Sequence, residues 1–397
     1  FVNLLKIISL SYSCNYKTHS MIDFIQDIIS RFGGRYFGSE QEKNAQYYTA
    51  DFLKKYCTKV DVEEFQSPLE SHFQALKIFC IVYVIVLIFF KVDVRIAAGL
   101  GILNAILFLG HFVTYRHWLD FLFPNKPSWN VIGDIEPINT ATSTIIVAGH
   151  IDSVKEFKWW YKLKNAGAVL SVIAGFQITL LGLYAFLSLF ISATWFSYIW
   201  WIFVVITPIL IVFYDMHGEN VVDGASDNLT GVALAVEMAK VFSEKKLNHT
   251  RLRLISFGSE EAALRGAHAY ANKHKQQLID EKAFLFNLDS IKEKKYLTIA
   301  SSELNTLVFY DKANVQLVEN SFKAMNTAYH ILPIGVGASD ASAFHIAGLP
   351  AVCVIGMRSD QLDPIYHTRL DVVENIEPEA LEAMKGVLIH FIETWDK

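Results

Sequence analysis

Residues 144–154 read TIIVAGHIDSV, an apolar stretch that runs directly into a histidine and an aspartate. A short apolar run of this kind is typical of a strand that is buried on both faces of a sheet. His150 and Asp152 would then lie at its carboxyl end, which is where ligands bind in sheets of parallel strands. The stretch therefore predicts a central strand and also the edge of the sheet at which a site should be found.

Other strand candidates occur along the polar parts of the chain, and helical patterns separate several of them. Between residues 228 and 244, for example, Val232, Val236 and Ala239 recur on one helical face. Ser39 and Glu42 form a capping-box pattern that predicts a helix through about Cys57. Alternating strands and helices predict an α/β domain with a mixed, largely parallel sheet flanked by helices. The further strand candidates are residues 59–65, 130–135, 251–257, 282–288, 296–301 and 349–356.

Four long apolar runs interrupt this pattern, at about residues 74–90, 96–113, 167–191 and 195–214. Each approaches or exceeds the roughly 20 residues that a helix needs to cross the core of a bilayer. Helices in the core of a soluble domain are seldom so long without a polar face. Short links at 91–95 (KVDVR) and 192–194 (SAT) join the runs in pairs. We therefore predict two transmembrane hairpins and contact with a lipid bilayer.

The predicted organisation is one α/β domain in three parts with two inserted hairpins. The parts of the domain are residues 21–73, 115–166 and 215–397, the hairpins are 74–114 and 167–214, and 1–20 is treated as an N-terminal extension. Because a hairpin returns the chain to the side that it left, both termini and the whole domain are expected on one side of the membrane.

Basic residues near the apolar runs predict which side that is. They are more numerous on the domain side than in the links, and the positive-inside rule then places the domain in the cytoplasm. The residues compared are Arg116, Lys126, Lys155, Lys158, Lys162 and Lys164 on the domain side and Lys91 and Arg95 at the far side.

Composition argues against other classes of protein. The formal net charge is −5 and no long basic block is present, so we expect no nucleic-acid partner. The four cysteines are widely spaced and form no C-x-x-C pair. This argues against a thiolate zinc knuckle and against a disulfide framework.

Side chains that suit a metal site follow several strand candidates or lie in adjoining loops. These residues are His150, Asp227, Glu260, Glu261, Asp289 and His367. Each one alone has an ordinary explanation as a helix cap or a surface charge. Together they match what a two-zinc site needs, because zinc accepts histidine nitrogen and carboxylate oxygen, and two ions can share a bridging carboxylate.

Spacing within the motifs suggests further roles. Residues two apart in a strand point the same way, so Asp152 can reach the imidazole of His150 and set its tautomer. Adjacent residues diverge instead. Glu261 could therefore bind a metal ion while Glu260 takes a proton from an attacking water.

Six blocks then carry a specific resemblance. In chain order they are GHIDSV, GASDNLTG, SFGSEEAALRGA, NLDSI, GVGASDASAF and PIYHTRLDVVENIEP. They closely resemble the co-catalytic zinc exopeptidase family that includes bacterial leucyl aminopeptidases, aminopeptidase Y and glutamate carboxypeptidase. The similarity covers most of the chain outside the hairpins.

The resemblance implies peptide substrates and two Zn²⁺ ions per chain. One ion would be bound by His150 and Asp289, and the other by Glu261 and His367, with Asp227 bridging the two. Glu260 would act as general base and then protonate the leaving amine. Asp152 would bind no metal ion itself and would instead orient the imidazole of His150.

The chain also departs from the family pattern. Asp152 and Asp227 are 227 − 152 = 75 residues apart, where soluble members have a short loop. The second hairpin fills this interval, so we expect the active site near the bilayer surface. Ala341 follows Asp340 where many relatives have histidine, which predicts a missing substrate contact. Arg358 and Arg369 lie near His367 but receive no role.

The leading hypothesis is a membrane-embedded zinc aminopeptidase, with apolar peptides from the bilayer as candidate substrates. A carboxypeptidase of the same family is the nearest alternative, since no residue distinguishes a free amine from a free carboxylate. Acyl transfer of the glutaminyl cyclase type uses one zinc and fits the full ligand set less well. A non-catalytic membrane receptor on this fold would tolerate gaps among the ligands, and the sequence has none.

Overall fold

The computed structural model describes residues 20–357 and 363–397. The extension predicted at residues 1–20, apart from Ser20, and the position of Arg358 lie outside the described residues. Ser20 caps the first helix, because its hydroxyl accepts a hydrogen bond from the backbone N–H of Asp23.

The strands are numbered in chain order. They are β1 (Lys59–Ser67), β2 (Lys126–Ile135), β3 (Ser143–His150), β4 (Lys155–Phe157), β5 (His217–Val221), β6 (Thr250–Phe257), β7 (Ala283–Asp289), β8 (Thr298–Glu303), β9 (Val308–Phe309), β10 (His330–Ile334) and β11 (Ala351–Ile355).

One large sheet forms the centre of the α/β domain. Its strand order is β1-β2-β6-β3-β7-β11-β8-β10, with β9 paired to β8, while β4 and β5 pair separately. The four central strands β6, β3, β7 and β11 are mutually parallel, and antiparallel pairs lie on either side of them. The predicted mixed, largely parallel sheet is thus confirmed, and the stretch at 144–149 is one of its two innermost strands.

Most helices outside the apolar runs pack around this sheet, whereas the short helix at Lys158–Leu163 contacts β4, β5 and the apolar helix that follows it. In chain order they are α1 (Met21–Phe32), α2 (Glu40–Leu53), α3 (Lys158–Leu163), α4 (Thr230–Glu244), α5 (Arg265–Lys273), α6 (Lys275–Asp280), an unnumbered helix (Lys312–Ala324), α7 (Asp340–Ile346) and α8 (Pro378–Trp395). Helix α4 packs on β3 and β6, and α8 packs on α4. Their apolar faces and the central strands form one continuous core.

Two sequence expectations differ from the structure. The helix predicted through Cys57 ends at Leu53, because β1 starts soon afterwards at Lys59. Strand β10 carries no clear strand pattern, since it is an edge strand with exposed side chains and a proline, Pro333. Edge strands tolerate proline because they have one unpaired side.

The four apolar runs are helices long and apolar enough to cross a membrane. They are span 1 (Ser71–Val92), span 2 (Val94–Val113), span 3 (Asn165–Leu187) and span 4 (Thr194–Tyr214). The first link is shorter than expected, because Asp93 alone separates spans 1 and 2 and its carboxylate caps the second by accepting from the N–H of Arg95. The domain boundaries drawn from the sequence remain predictions.

The spans form a helical bundle with an apolar core of its own. Spans 2 and 3 meet at Gly101 and Gly182, where a Cβ atom on Gly182 would lie 2.3 Å from the carbonyl oxygen of Gly101. Small residues allow such close approach between membrane helices. Large apolar side chains cover the outside of the bundle, with Ile88 58% and Val205 73% exposed. An apolar exterior is what a helix bundle needs in lipid.

Candidate metal centre

The polar residues that follow the central strands converge beyond their carboxyl ends. His150 is the last residue of β3 and Asp289 the last residue of β7, while Glu260 and Glu261 follow β6. All four side chains are buried. Because β6, β3 and β7 are adjacent and parallel, their carboxyl ends deliver these side chains to one place.

Two loops complete the cluster with Asp227 and His367. Asp227 lies in the turn before α4, and its backbone N–H and that of Ser226 donate to the Asp371 carboxylate at 3.1 and 2.8 Å. Asp371 therefore holds the turn in place. His367 is buried and its ring stacks on Tyr366 with the centroids 3.8 Å apart.

These residues form two triads that share Asp227. In the first, ligand atoms of His150, Asp227 and Asp289 all lie within 4.8 Å of one another. In the second, Asp227, Glu261 and His367 do the same. The Asp227 atom Oδ1 is 3.2 Å from His150 Nε2, and its Oδ2 is 3.3 Å from His367 Nε2. The two oxygens of one carboxylate thus face different triads, as a bridging ligand requires.

The donor set and its electrostatics fit a cation in each triad. Burial raises the pKa of Glu260 well above its usual value and that of Asp289 to about 7. Burial opposes charge on His367 as well, but Glu261 and Asp227 outweigh it and raise its pKa to about 10. Glu261 Oε1 has no hydrogen-bond partner among the described residues. Nitrogen and carboxylate oxygen are zinc ligands, and a divalent ion would stabilise these crowded carboxylates in their charged form.

Asp152 makes its firmest contacts with the glutamates. Its carboxylate accepts hydrogen bonds from the backbone N–H groups of Glu260 and Glu261, both at 3.0 Å. The carboxylate also lies beside His150, with Oδ1 3.5 Å from Nδ1. Asp152 is therefore placed to hold the Glu260–Glu261 pair as well as the imidazole, a role that strand alternation does not indicate.

Glu42 is a supporting residue that the sequence analysis assigned to a helix cap. Ser39 does accept from the Glu42 N–H at 3.2 Å. The Glu42 carboxylate instead accepts from Gly38 N, Ser128 Oγ and both the N–H and the hydroxyl of Ser259. The capping box is thus only half formed, because Glu42 is buried beneath the residue that precedes Glu260.

A narrow cleft opens onto the two triads. One wall is apolar, and a polar side chain, Tyr366, lies next to His367. The lining residues are Asp227, Glu260, Asp289, Ser290, Ile334, Val336, Gly337, Ala338, Ile355, Met357, Tyr366 and His367. Among these described residues there is no lysine or arginine, and the carboxyl groups of Asp227, Glu260 and Asp289 line the cleft together with the apolar wall.

Three further residues named in the sequence analysis differ in their surroundings. Ala341 is fully buried in the apolar core, and the loss of a substrate contact at this position remains a prediction. Asp340 is buried, and neither carboxylate oxygen has a hydrogen-bond partner within the described chain. Arg369 donates to both oxygens of Glu156, at 2.8 and 2.7 Å.

Comparison with known proteins agrees with this geometry. The model of Peptidase family M28 matches residues 209–392. Aminopeptidase YwaD of Bacillus subtilis is 28% identical over 180 residues, which is 43% of this chain and 38% of the relative. The chain thus matches well under half of the length of that curated relative.

Solved structures share the fold over a much larger part of the chain. A zinc aminopeptidase from Bacillus subtilis covers 95% of each chain at 15% identity with a TM-score of 0.58. An aminopeptidase from Aneurinibacillus sp. strain AM-1 covers 94% of this chain and 92% of its own at 18% identity and a TM-score of 0.55. A glutaminyl cyclase from an Acidobacteriales bacterium covers 94% and 93% at 13% identity and a TM-score of 0.56. Residues 209–392 are therefore similar to Peptidase family M28, on a fold that most of the chain shares with zinc aminopeptidases and glutaminyl cyclases.

Proposed function

We propose that this protein is a membrane-embedded zinc exopeptidase that acts as an aminopeptidase. The observation that carries the proposal is the pair of buried triads that share Asp227, with Glu260 beside them. The match to Peptidase family M28 over residues 209–392 supports the same class of reaction.

Two zinc ions would be held by this chain's own residues. His150 and Asp289 would bind one ion, Glu261 and His367 the other, and Asp227 both. Bound zinc would polarise the scissile carbonyl and lower the pKa of the attacking water.

Glu260 is the proposed general base. Its Oε2 lies 3.7 Å from His150 Nε2, and its side chain lines the cleft. It would take a proton from the water that attacks the scissile carbonyl and pass that proton to the nitrogen of the departing amine. Asp152, through the backbone N–H groups of both glutamates, would keep Glu260 directed at the water.

The cleft favours recognition of a free amino terminus. Its described lining carries no lysine or arginine, so the carboxylate of a peptide's carboxyl terminus would find no such partner among these residues. Ile334, Val336, Ile355 and Met357 form the apolar wall. We therefore expect N-terminal residues with apolar side chains to be preferred.

Membrane insertion is the second part of the proposal. The four spans meet the length and hydropathy that a bilayer requires, and their bundle is apolar outside. The excess of basic residues on the domain side supports a cytoplasmic location for the domain and the active site, close to the membrane surface. Apolar peptides that leave the bilayer would then be within reach.

Hydrolysis of matched peptides tests the activity. The peptides share one sequence with an apolar first residue and carry a free or an acetylated amino terminus, each with a free or an amidated carboxyl terminus. We expect cleavage of both free-amine peptides and of neither acetylated peptide. Cleavage that requires the free carboxylate would instead indicate a carboxypeptidase, and Arg358→Ala would then be the first variant to examine.

Two controls separate the proposed mechanism from its alternatives. Glu260→Gln should keep its zinc and lower the turnover number by about 10²–10⁴-fold, the usual contribution of a general base. Glu379→Gln, an exposed carboxylate far along the chain on α8, should remain fully active. One zinc per chain together with cyclisation of N-terminal glutamine would favour the glutaminyl cyclase type, to which the fold is also similar.

A further inference from the structure

The loop that carries the two glutamates contacts both ends of the first membrane hairpin. We define the glutamate loop as residues 258–265, which join β6 to α5. Its last residue is Arg265. Ser71 is the first residue of span 1, and Asp120 lies just beyond span 2. Arg265 therefore stands between the glutamates and the hairpin.

The contacts of Arg265 are short and buried. Its Nη1 and Nη2 donate to the two carboxylate oxygens of Asp120 at 2.6 and 2.9 Å. Nη2 also donates to Ser71 Oγ at 2.8 Å, and Nε donates to the carbonyl oxygen of Ala262 at 2.9 Å. Arg265 is 5% exposed. A two-pronged arginine–carboxylate pair is both strong and directional.

Ser71 and Asp120, the partners of Arg265 at the hairpin, are held by further hydrogen bonds. Ser71 Oγ donates to Asp120 Oδ1 at 2.7 Å. The ring of His111 in span 2 lies 3.2 Å from the carbonyl oxygen of Ser71 and 3.1 Å from the backbone nitrogen of Leu119. Because the Leu119 N–H can only donate, Nδ1 of His111 accepts and Nε2 donates to Ser71. The two ends of the hairpin are thus hydrogen-bonded to each other as well as to Arg265.

The glutamate loop needs support from outside. Ser259, Ala263 and Leu264 have φ angles of 55°, 76° and 61°, in the left-handed region that side chains other than glycine disfavour. Such conformations persist only where the surroundings hold them. Asp152 and Glu42 support the start of the loop, and Arg265 supports its end.

We infer that Arg265, clamped by Asp120 and Ser71, is a positioning residue that keeps Glu260 and Glu261 in place. The first hairpin would then be a working part of the metal centre in addition to any role as an anchor. The inference deepens the proposed function and rests on it for the identity of the bound metal. It predicts that loosening the clamp weakens metal binding in the triad that contains Glu261.

The test compares Asp120→Asn with a matched variant, Asp134→Asn, in the full chain reconstituted in lipid nanodiscs. Asp134 forms the same kind of two-pronged pair with Arg253, at 2.7 and 3.0 Å, and Arg253 is 4% exposed. That pair joins β2 to β6, and the further side-chain hydrogen bonds of Arg253 go to Tyr270 and Glu281, outside the glutamate loop. Zinc affinity is measured by titration into metal-free protein, and kcat and KM are measured on the free-amine peptide.

We expect Asp120→Asn to weaken binding of one zinc by about 10–100-fold, the usual effect of removing a group that orients metal ligands. The turnover number should fall with it while KM changes little, and Asp134→Asn should change neither. Asp120→Glu, which keeps the charge, should recover most of the loss. Equal zinc affinity in Asp120→Asn and Asp134→Asn would overturn the inference.

The design also separates this inference from the proposed function. If the Glu260→Gln variant stayed active, the proposed mechanism would fail, but zinc affinity would still test the clamp. If Asp120→Asn did not fold, Ser71→Ala would decide, since it removes one contact with Arg265 and leaves no buried charge unpaired. Zinc affinity in Ser71→Ala equal to that of the unmodified protein would then count against the clamp.

Discussion

At the scale of single residues, the candidate site contains carboxylates that bind backbone N–H groups in addition to the candidate metal ligands. Asp152 accepts from Glu260 and Glu261, and Asp371 accepts from Ser226 and Asp227. Each of these carboxylates fixes a stretch of backbone from which a ligand side chain projects. Hydrogen bonds within the chain therefore direct these side chains toward the cleft.

Asp152→Asn tests this role. An amide can accept one of the two N–H bonds, but its NH₂ group would face the other N–H, so the Glu260–Glu261 backbone should move. We expect kcat to fall by about 10–100-fold, in line with other groups that orient metal ligands. Asp51→Asn, at an exposed position on α2, is the matched control. A kcat for Asp152→Asn equal to that of the control would show that the N–H bonds are dispensable.

At the scale of elements, the end of the last helix is tied to the start of a central strand. Asp396, just past α8, accepts from the backbone nitrogens of Asn248, His249 and Thr250 at 2.6, 2.8 and 2.9 Å. Burial alone would raise the pKa of Asp396, but these donors outweigh it and lower the pKa below its usual value. The charged carboxylate is thus the form that stabilises the junction of α8 and β6.

This junction predicts a pH dependence. A carboxyl whose pKa is lowered by folding stabilises the protein above its unfolded-state pKa, and this stability is lost as the pH falls through the folded-state value. Asp396→Asn should therefore lower the free energy of unfolding by about 1–2 kcal/mol at pH 7. The difference should shrink as the pH falls below the ordinary aspartate range. Thermal unfolding of both proteins in one detergent between pH 7 and pH 3 measures it, and a difference that stayed constant would exclude the carboxylate as its source.

The contact between spans 2 and 3 predicts a packing effect. A valine side chain at Gly182 would collide with the backbone of Gly101, which cannot give way as a flexible side chain could. Gly182→Val should therefore lower the midpoint temperature of unfolding by several degrees. It should also weaken cross-linking between cysteines introduced into spans 2 and 3. Gly99→Val is the control, because a Cβ atom there meets nothing within 4 Å. Similar midpoints for the two variants would mean that the spans do not pack at these glycines in the membrane.

At the scale of the whole molecule, the α/β domain and the span bundle are joined at more than their covalent links. Asn305, in the turn after β8, donates to the carbonyl oxygen of Val113 at the end of span 2 at 3.0 Å. Arg265 joins Ser71 and Asp120, at the two ends of the hairpin, to the glutamate loop. If the spans lie in a bilayer, these contacts hold the cleft close to its surface.

The orientation of the molecule can be measured directly. A fluorescent protein fused after Lys397 should fluoresce, and alkaline phosphatase at the same place should be inactive, because we expect that terminus in the cytoplasm. The same reporters placed after Ile191, between spans 3 and 4, should behave in the opposite way. Active alkaline phosphatase after Lys397 would show that this terminus lies outside the cytoplasm and would contradict the proposed orientation.

The sequence by itself determined the fold class, the four apolar helices and the set of candidate ligands. These follow from short-range patterns. A short apolar run such as 144–149 is typical of a strand buried on both faces of a sheet. The carboxyl ends of adjacent parallel strands must meet at one edge. The polar residues that follow each strand, among them His150, Glu261 and Asp289, can therefore be grouped before their distances are known.

Only the tertiary structure decided which residues support that site. Glu42 has the local pattern of a helix cap, yet its carboxylate binds Ser259. Arg265 has the local pattern of an ordinary helix residue, yet it binds Asp120. Partners so far apart in the chain leave no local pattern, because any of many buried polar groups would satisfy either side chain. Folding brings one particular partner within hydrogen-bonding distance, and for Arg265 this partner lies beside the first two apolar helices.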